Sequence, residues 1–295
     1  MIFSTILLSA KNRRKIASSE YWGKPIPQKH IKRYLVQLEA LVKKSVQLKF
    51  KPITVDEYKF ISRECGDGII IFVSDLEESD EDVVKKINRA AKELGKVLSK
   101  HPKSYIKANY ETIINRFVQS QFVIALIGQM GVGKTSLLHL LKGKPPPNEY
   151  VPTIAVNTEV IEGIRFANYE LVLLDFAGHG GARELWDISA TDIVFLLTDS
   201  TLKNIIASKK ILSEITEEYP ETPLIVFANK QDNAQSLDSS VVSKVMGSTS
   251  HPMVAIDFSY RTNLLGVLVG ALSEYFVLDV PNMSIEQLLS IEDNT

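Results

Sequence analysis

One cysteine, Cys65, in 295 residues excludes a disulfide framework and points to a reducing compartment. No apolar run reaches the roughly 20 residues that a membrane-spanning helix requires. The opening Met-Ile-Phe-Ser-Thr-Ile-Leu-Leu-Ser-Ala has no basic stretch ahead of it and runs into Lys11-Asn-Arg-Arg-Lys15, so it makes a poor signal peptide. Residue 2 is Ile2 where N-myristoylation needs glycine, and the Glu292–Thr295 end is no prenylation signal. A Gly/Ser or Pro tether is also missing. The expectation is a cytoplasmic protein whose contact with any membrane is peripheral.

Net charge is nearly absent as well, at −1, yet it is unevenly distributed. Residues 1–118 hold 23 Lys and Arg against 14 Asp and Glu, a balance of +9, whereas residues 119–295 hold 11 against 21, a balance of −10. Length and charge split both favour two domains. Either the halves attract each other or the basic half faces an acidic surface, with two solvated faces as the plainer account. Residues 11–51 carry 12 Lys and Arg against Glu20 and Glu39, which suits anionic lipid. Without interleaved aromatics or a reader motif, nucleic acid is excluded as a partner.

What is present falls into two regimes. Met1–Ala10 and Ile16–Trp22 are strand-like, with the charged turn between them. Ile31, Tyr34, Leu35, Leu38, Leu41 and Val42 recur at helical spacing behind Pro25 and Pro27. Tyr58–Ser62 and Gly68–Val73 form a second strand pair broken by Gly66-Asp-Gly68. A helix with Val83, Ile87, Ala91, Leu94 and Leu98 on one face starts near Ser79-Asp-Glu-Asp82, acids suited to a helix N-terminus. A third helix covers Tyr105–Phe117. From Gln121 strands and helices alternate, which predicts a mostly parallel sheet with helices on both faces. Its strands are read at Phe122–Ile127, Asn157–Val160 (an edge), Glu170–Leu174, Ile193–Leu197, Leu224–Ala228 and Met253–Ile256, with a final helix at Leu264–Phe276.

Three segments of the second regime describe one pocket. Gly128-Gln-Met-Gly-Val-Gly-Lys-Thr135 sits between an apolar strand and a helix, and its glycines let backbone N–H groups turn inward as an anion nest. Its phosphate-binding set is Gly128, Gly131, Gly133, Lys134, Thr135 and Ser136. Lys134 bridges β- and γ-phosphate oxygens, and the Thr135 hydroxyl ligates Mg²⁺. Asp175-Phe-Ala-Gly-His179 ends a strand, so Asp175 can hold the metal shell through water and Gly178 can offer its N–H to a γ-phosphate. Alone this motif is weak, because Asp and Gly are common in turns. In Asn229-Lys-Gln-Asp232 the Asp232 carboxylate accepts from the two donors of guanine, a pair adenine lacks. Lys230 packs its stem over the base.

On these residues, 121–280 resembles a Ras-superfamily small GTPase of the Arf/Sar branch. Tyr150-Val-Pro-Thr-Ile-Ala-Val-Asn157 resembles the first switch of that branch, which implies that Thr153 closes over Mg²⁺. Arg183-Glu-Leu-Trp186 resembles its Arg-x-x-Trp. Asp257-Phe-Ser259 stands at the last guanine loop, where Ser259 fits and Phe258 replaces a small residue. His179 stands where most members have Gln, and resembles Sar and the β subunit of the signal-recognition-particle receptor. It is the candidate catalytic residue, holding the attacking water, against a reading as a switch-loop His with no catalytic part. Met130 departs from the usual glycine, and no Arg in the first switch is placed to act in cis, so slow hydrolysis with a partner supplying charge is implied. Residues 1–118 resemble the longin fold and the small chains of clathrin adaptors, through the Met1-Ile-Phe-Ser-Thr-Ile-Leu-Leu opening, the basic turn and Glu20-Tyr-Trp22.

The expected organisation is therefore an α+β longin-like domain (1–118), a GTPase domain with a mostly parallel six-stranded sheet (119–280) and a C-terminal tail (281–295). The function implied is a GTP-binding and GTP-hydrolysing switch in membrane trafficking or a related process, using GTP/GDP and Mg²⁺. An exchange factor, an activating protein and an intramolecular contact between the two domains are its expected partners. The rival readings are a GTP-holding scaffold without turnover and an ATP-using P-loop protein.

Overall fold

The computed structural model describes residues 1–44, 51–147, 156–178, 187–278, 280 and 283–291. Its contacts divide the chain into two units. The first comprises Met1–Ser120, Arg165–Tyr169 and Pro281–Ser290, and the second Gln121–Ile164, Glu170–Val280 and Ile291–Thr295.

In the first unit β1 (Ile2–Ser9), β2 (Lys15–Glu20), β3 (Ile53–Val55), β4 (Tyr58–Cys65) and β5 (Gly68–Ser74) make one sheet in the order β2-β1-β5-β4-β3. All eight residues of β1 and all seven of β5 are buried, the continuous apolar pattern of strands covered on both faces. Edge strand β2 alternates instead, burying only Ala17 and Ser19. Gly66, at φ +61, supplies the left-handed residue that lets Cys65 pair with Gly68 across a two-residue turn.

The helices are α1 (Gln28–Lys44), α2 (Asp80–Lys100) and α3 (Lys103–Val118). Ser79 caps α2 by accepting from the Asp82 N–H, and Asp80, Glu81 and Asp82 fill the first turn, where acids complement the helix dipole. Val83, Ile87, Ala90, Ala91 and Leu94 of α2, with Ile106, Tyr110, Ile114 and Val118 of α3, share a core with Leu7, Ile61, Ile70 and Phe72. Each Val, Leu, Ile or Phe side chain among them contributes about 1.5–3 kcal/mol by leaving water. On α1 the buried Tyr34 stacks on Phe60 at 5.0 Å. Also inside this unit, the Asn168 carboxamide accepts from the Ile2 N–H and donates to the Val118 carbonyl, both at 2.9 Å.

The second sheet has seven strands, not the six expected: β6 (Ser120–Gly128), β7 (Val156–Phe166), β8 (Tyr169–Phe176), β9 (Ile193–Thr198), β10 (Leu224–Ala228), β11 (Ser250–Pro252) and β12 (Leu289–Ile291), in the order β11-β10-β9-β6-β8-β7-β12. The extra strand falls in the segment expected to be a tail, beside a capping-box helix α8 (Ile285–Leu288). A three-residue Leu-Ser-Ile carries no periodicity, so only its tertiary partner makes it a strand. With β12 alongside, β7 is not an edge. The strand expected at Met253–Ile256 lies earlier, at β11, because the burial of Met253, Val254 and Ala255 comes from loop packing. A short strand, β3, was also unforeseen in the first sheet.

Pairing is parallel between β6 and β9, β9 and β10, and β10 and β11. The helices of this unit are α4 (Lys134–Leu141), α5 (Leu202–Glu218), α6 (Ser239–Met246) and α7 (Arg261–Tyr275). Parallel strands bring their carboxyl ends to one edge, where ligands of such sheets bind. The loops after β6, β10 and β11 all leave from that edge. No helix among the described residues is long and apolar enough to cross a membrane.

Candidate functional site

Strand β6 ends at Gly128 and α4 begins at Lys134, leaving five residues to turn the chain. Gly128, Gly131 and Gly133 take φ of +144, +77 and +101, values that side chains rarely tolerate. Space forbids a side chain too: a Cβ on Gly133 would sit 2.3 Å from Asn229 Nδ2, and one on Gly128 2.4 Å from the Leu197 carbonyl. The loop thus curls its backbone around the first turn of α4, an N-terminal end that favours anions.

Lys134 is 7% exposed, and its Nζ reaches back to the Gly128 and Gln129 carbonyls, each at 3.2 Å. Burial lowers its pKa, opposed by the Asp175 carboxylate. Thr135 Oγ1 donates to Asp175 Oδ2 at 2.9 Å, so the hydroxyl and carboxylate named for the metal stand together at the root of the helix. Gly178 is bound to the same loop, its carbonyl accepting from the Met130 N–H at 3.1 Å. A Cβ there would lie 2.5 Å from backbone atoms of Gln129 and Met130.

Asn229 joins three loops. Its Nδ2 donates to the Val132 carbonyl at 2.7 Å, its Oδ1 accepts from the Ala255 N–H at 2.9 Å, and it is 2% exposed. Both ends of its carboxamide are engaged by protein, so its part is to hold the glycine loop against the β11 side. Lys230 adopts φ +60, with its carbonyl accepting from Ser236 Oγ at 2.7 Å. Gln231 braces the turn from behind through Ser200 and Leu237.

These segments enclose one cavity of about 660 Å³, within the range of small-molecule sites. Of the residues expected there, Gly131, Gly133, Lys134, Thr135, Ser136, Gly178, Asn229, Lys230 and Asp232 line it. Gly128 and Asp175 are not among the lining residues. Ser259 is not brought to it: its N–H is tied to Asp257 Oδ1 at 2.9 Å, and Val254, Ala255 and Ile256 line that side instead. Phe258 is exposed beside the Arg261 guanidinium. His139, Pro146, Pro147 and Asn233 also line the cavity. Nothing in their spacing announced them. Thr153, His179, Arg183 and Trp186 lie outside the described residues.

The residues present fit a phosphate chain and a hard divalent cation. A Cβ would fill the glycine cradle, and the Thr135–Asp175 pair offers the oxygen donors that Mg²⁺ prefers. Strand, glycine turn, helix and buried lysine together make this a P-loop nucleotide-binding domain, and the Asn-Lys-x-Asp turn across the cavity places it with the small GTPases, whose cofactors are GTP or GDP and Mg²⁺. The chain belongs to the ADP-ribosylation factor family, whose model matches residues 110–262, just over half of it.

Relatives lie across that family. ADP-ribosylation factor-like protein 10 of Mus musculus is 27% identical over 127 residues, 42% of this chain and 51% of its own. ADP-ribosylation factor-like protein 1 of Saccharomyces cerevisiae is 35% identical over 127 residues, covering 41% and 67%. The small COPII coat GTPase SAR1B of Dictyostelium discoideum is 31% identical over 122 residues, covering 39% and 61%. The chain thus spans about half to two thirds of the length of these relatives. Among solved structures, the Arl6 BBS3 small GTPase from Trypanosoma brucei with bound nucleotide analogue GppNp aligns at a TM-score of 0.44 and 16% identity, covering 53% of this chain and 99% of its own.

Proposed function

We propose that this chain is a GTP-hydrolysing molecular switch in membrane trafficking or a related regulatory process, with a longin-like N-terminal interaction domain. The observation that carries the reading is the shared lining of one cavity by Lys134, Thr135 and Asp232. A nucleoside polyphosphate spans such a cavity, its phosphates on the glycine loop and its guanine N–H donors toward Asp232.

In this account Lys134 supplies a fixed positive charge to the phosphate oxygens, stabilised in place by its carbonyl partners. Thr135, Asp175 and Thr153 hold Mg²⁺, which when bound neutralises charge on the β- and γ-phosphates. His179 orients the attacking water through one ring nitrogen, and the Gly178 N–H marks the γ-phosphate. With no arginine in the first-switch sequence Tyr150–Asn157 to act in cis, turnover by the chain alone is slow and an activating partner accelerates it. The β-β-α-β-β-β-α-α order and the β2-β1-β5-β4-β3 sheet support the longin-like reading of the first unit. Its basic character supports a peripheral, anionic membrane surface as a meeting place.

The test is nucleotide binding and turnover by the full chain. GTP and GDP are expected to bind far more tightly than ATP, with slow release of phosphate from GTP. Equal affinity for ATP would place the chain outside this reading.

A further inference from the structure

The first unit holds a second set of ligand-type side chains. His30 lies in the first turn of α1, is 3% exposed, and packs edge-on to Tyr58 at 5.2 Å. Among the described residues, neither of its ring nitrogens has a hydrogen-bond partner. An imidazole left unsatisfied in this way keeps its desolvation cost uncompensated, which is unusual in a folded protein. The ring is not aimed at random: Nε2 lies 3.6 Å from Asp56 Oδ2.

Asp56 and Glu57 form the turn that joins β3 to β4, where Val55 pairs with Tyr58. Asp56 takes φ +54, a left-handed conformation that Asp adopts more readily than most residues. One ligand atom from each of His30, Asp56 and Glu57 lies within 4.8 Å of the others. Arg33, one turn along α1, pairs with Asp56 Oδ2 at 2.7 Å, but its side chain is 59% exposed and free to swing into solvent.

We propose that His30, Asp56 and Glu57 bind a divalent transition-metal cation of the Zn²⁺ type. A buried imidazole nitrogen favours such an ion over Mg²⁺ or Ca²⁺, which prefer oxygen alone. Two carboxylates complete a three-residue set, leaving a fourth position for water. Zn–ligand bonds of about 2.0–2.2 Å require the ligand atoms to draw closer than 4.8 Å. The exposed carboxylates of the turn provide that movement, while His30 is held by packing. The cation would pin the start of α1 to the β3–β4 hairpin.

The experiment titrates Zn²⁺ into the full chain kept in excess GDP and Mg²⁺, so that the nucleotide site is already filled. Calorimetry gives stoichiometry, and Co²⁺ absorption gives coordination geometry. One equivalent is expected, with tetrahedral Co²⁺ bands, and Glu57→Gln and Asp56→Asn should each weaken Zn²⁺ by roughly tenfold or more. Both variants alter exposed positions, and Asn tolerates the left-handed turn, so folding survives. Zn²⁺ should also raise the melting temperature of the wild type and not that of Glu57→Gln. No uptake, or uptake of equal affinity in both variants, overturns the proposal.

Discussion

Asn229 shows how a residue in a nucleotide motif can act through the protein. Its carboxamide is spent on Val132 and Ala255, so Asn229→Ala leaves two buried partners unsatisfied at about 1–3 kcal/mol each. Thermal unfolding should register the loss, and nucleotide affinity should fall with it as the glycine loop loosens. Asp232 is different. It is exposed and lines the cavity, so Asp232→Asn should leave the melting temperature unchanged. GDP affinity should weaken by roughly tenfold to a hundredfold, the worth of about 1.5–3 kcal/mol for hydrogen bonds to a charged acceptor, and fluorescent-nucleotide titration reads the difference. Lys134, Thr135 and Asp232 were named from motif spacing, and all three line the cavity. The stapling by Asn229 was not, since it depends on where Val132 and Ala255 arrive in space. Ser259 does not line the cavity, and its distance along the chain from Asp232 says nothing of the direction its loop takes.

Among the elements, those with strong patterns could be read and those without could not. The buried stripes of α2 and α3 follow helical spacing, β5, β6 and β9 are built on apolar runs, and β1 is rich in β-branched and aromatic residues, so each was anticipated. Phe72, fully buried in the α2–α3 core, carries that pattern into stability. Phe72→Ala should cost about 3–5 kcal/mol in denaturant unfolding of the first unit. β3, β11 and β12 are three residues each, too short for periodicity, and exist because a neighbouring strand pairs with them. On β11, His251 is partly buried and packs 5.9 Å from Phe227, and that burial lowers its pKa below the usual 6.5. As pH falls, the unfolded chain takes up the proton first. The stability linked to His251 is therefore fully present above about pH 6.5 and declines as pH drops toward the lower, folded-state value. His251→Asn should flatten that part of the melting-temperature profile between pH 7 and 5. An unchanged slope would remove His251 from the account.

For the whole molecule, family membership rests on residues 110–262, while the first unit brings its own sheet, its own core and a basic excess. The nucleotide pocket is the place in the molecule whose chemistry is specified by named residues. The sequence changes from an α+β pattern to alternating strand and helix near Gln121, and the contact division of the chain falls between Ser120 and Gln121. The inclusion of Arg165–Tyr169 and Pro281–Ser290 in the first unit had no signal in composition or charge. In the proposed switch, consumption of bound GTP is assigned to His179, which orients the attacking water. The most direct measurement is single-turnover GTP hydrolysis by the full chain and by His179→Ala, with bound nucleotide identified at the start and end. The switch account predicts slow conversion of GTP to GDP by the wild type and a loss of roughly a hundredfold in the variant, in line with removal of a positioned water-orienting group. GTP that co-purifies with the wild type and persists unhydrolysed would contradict it and leave a GTP-holding scaffold in its place.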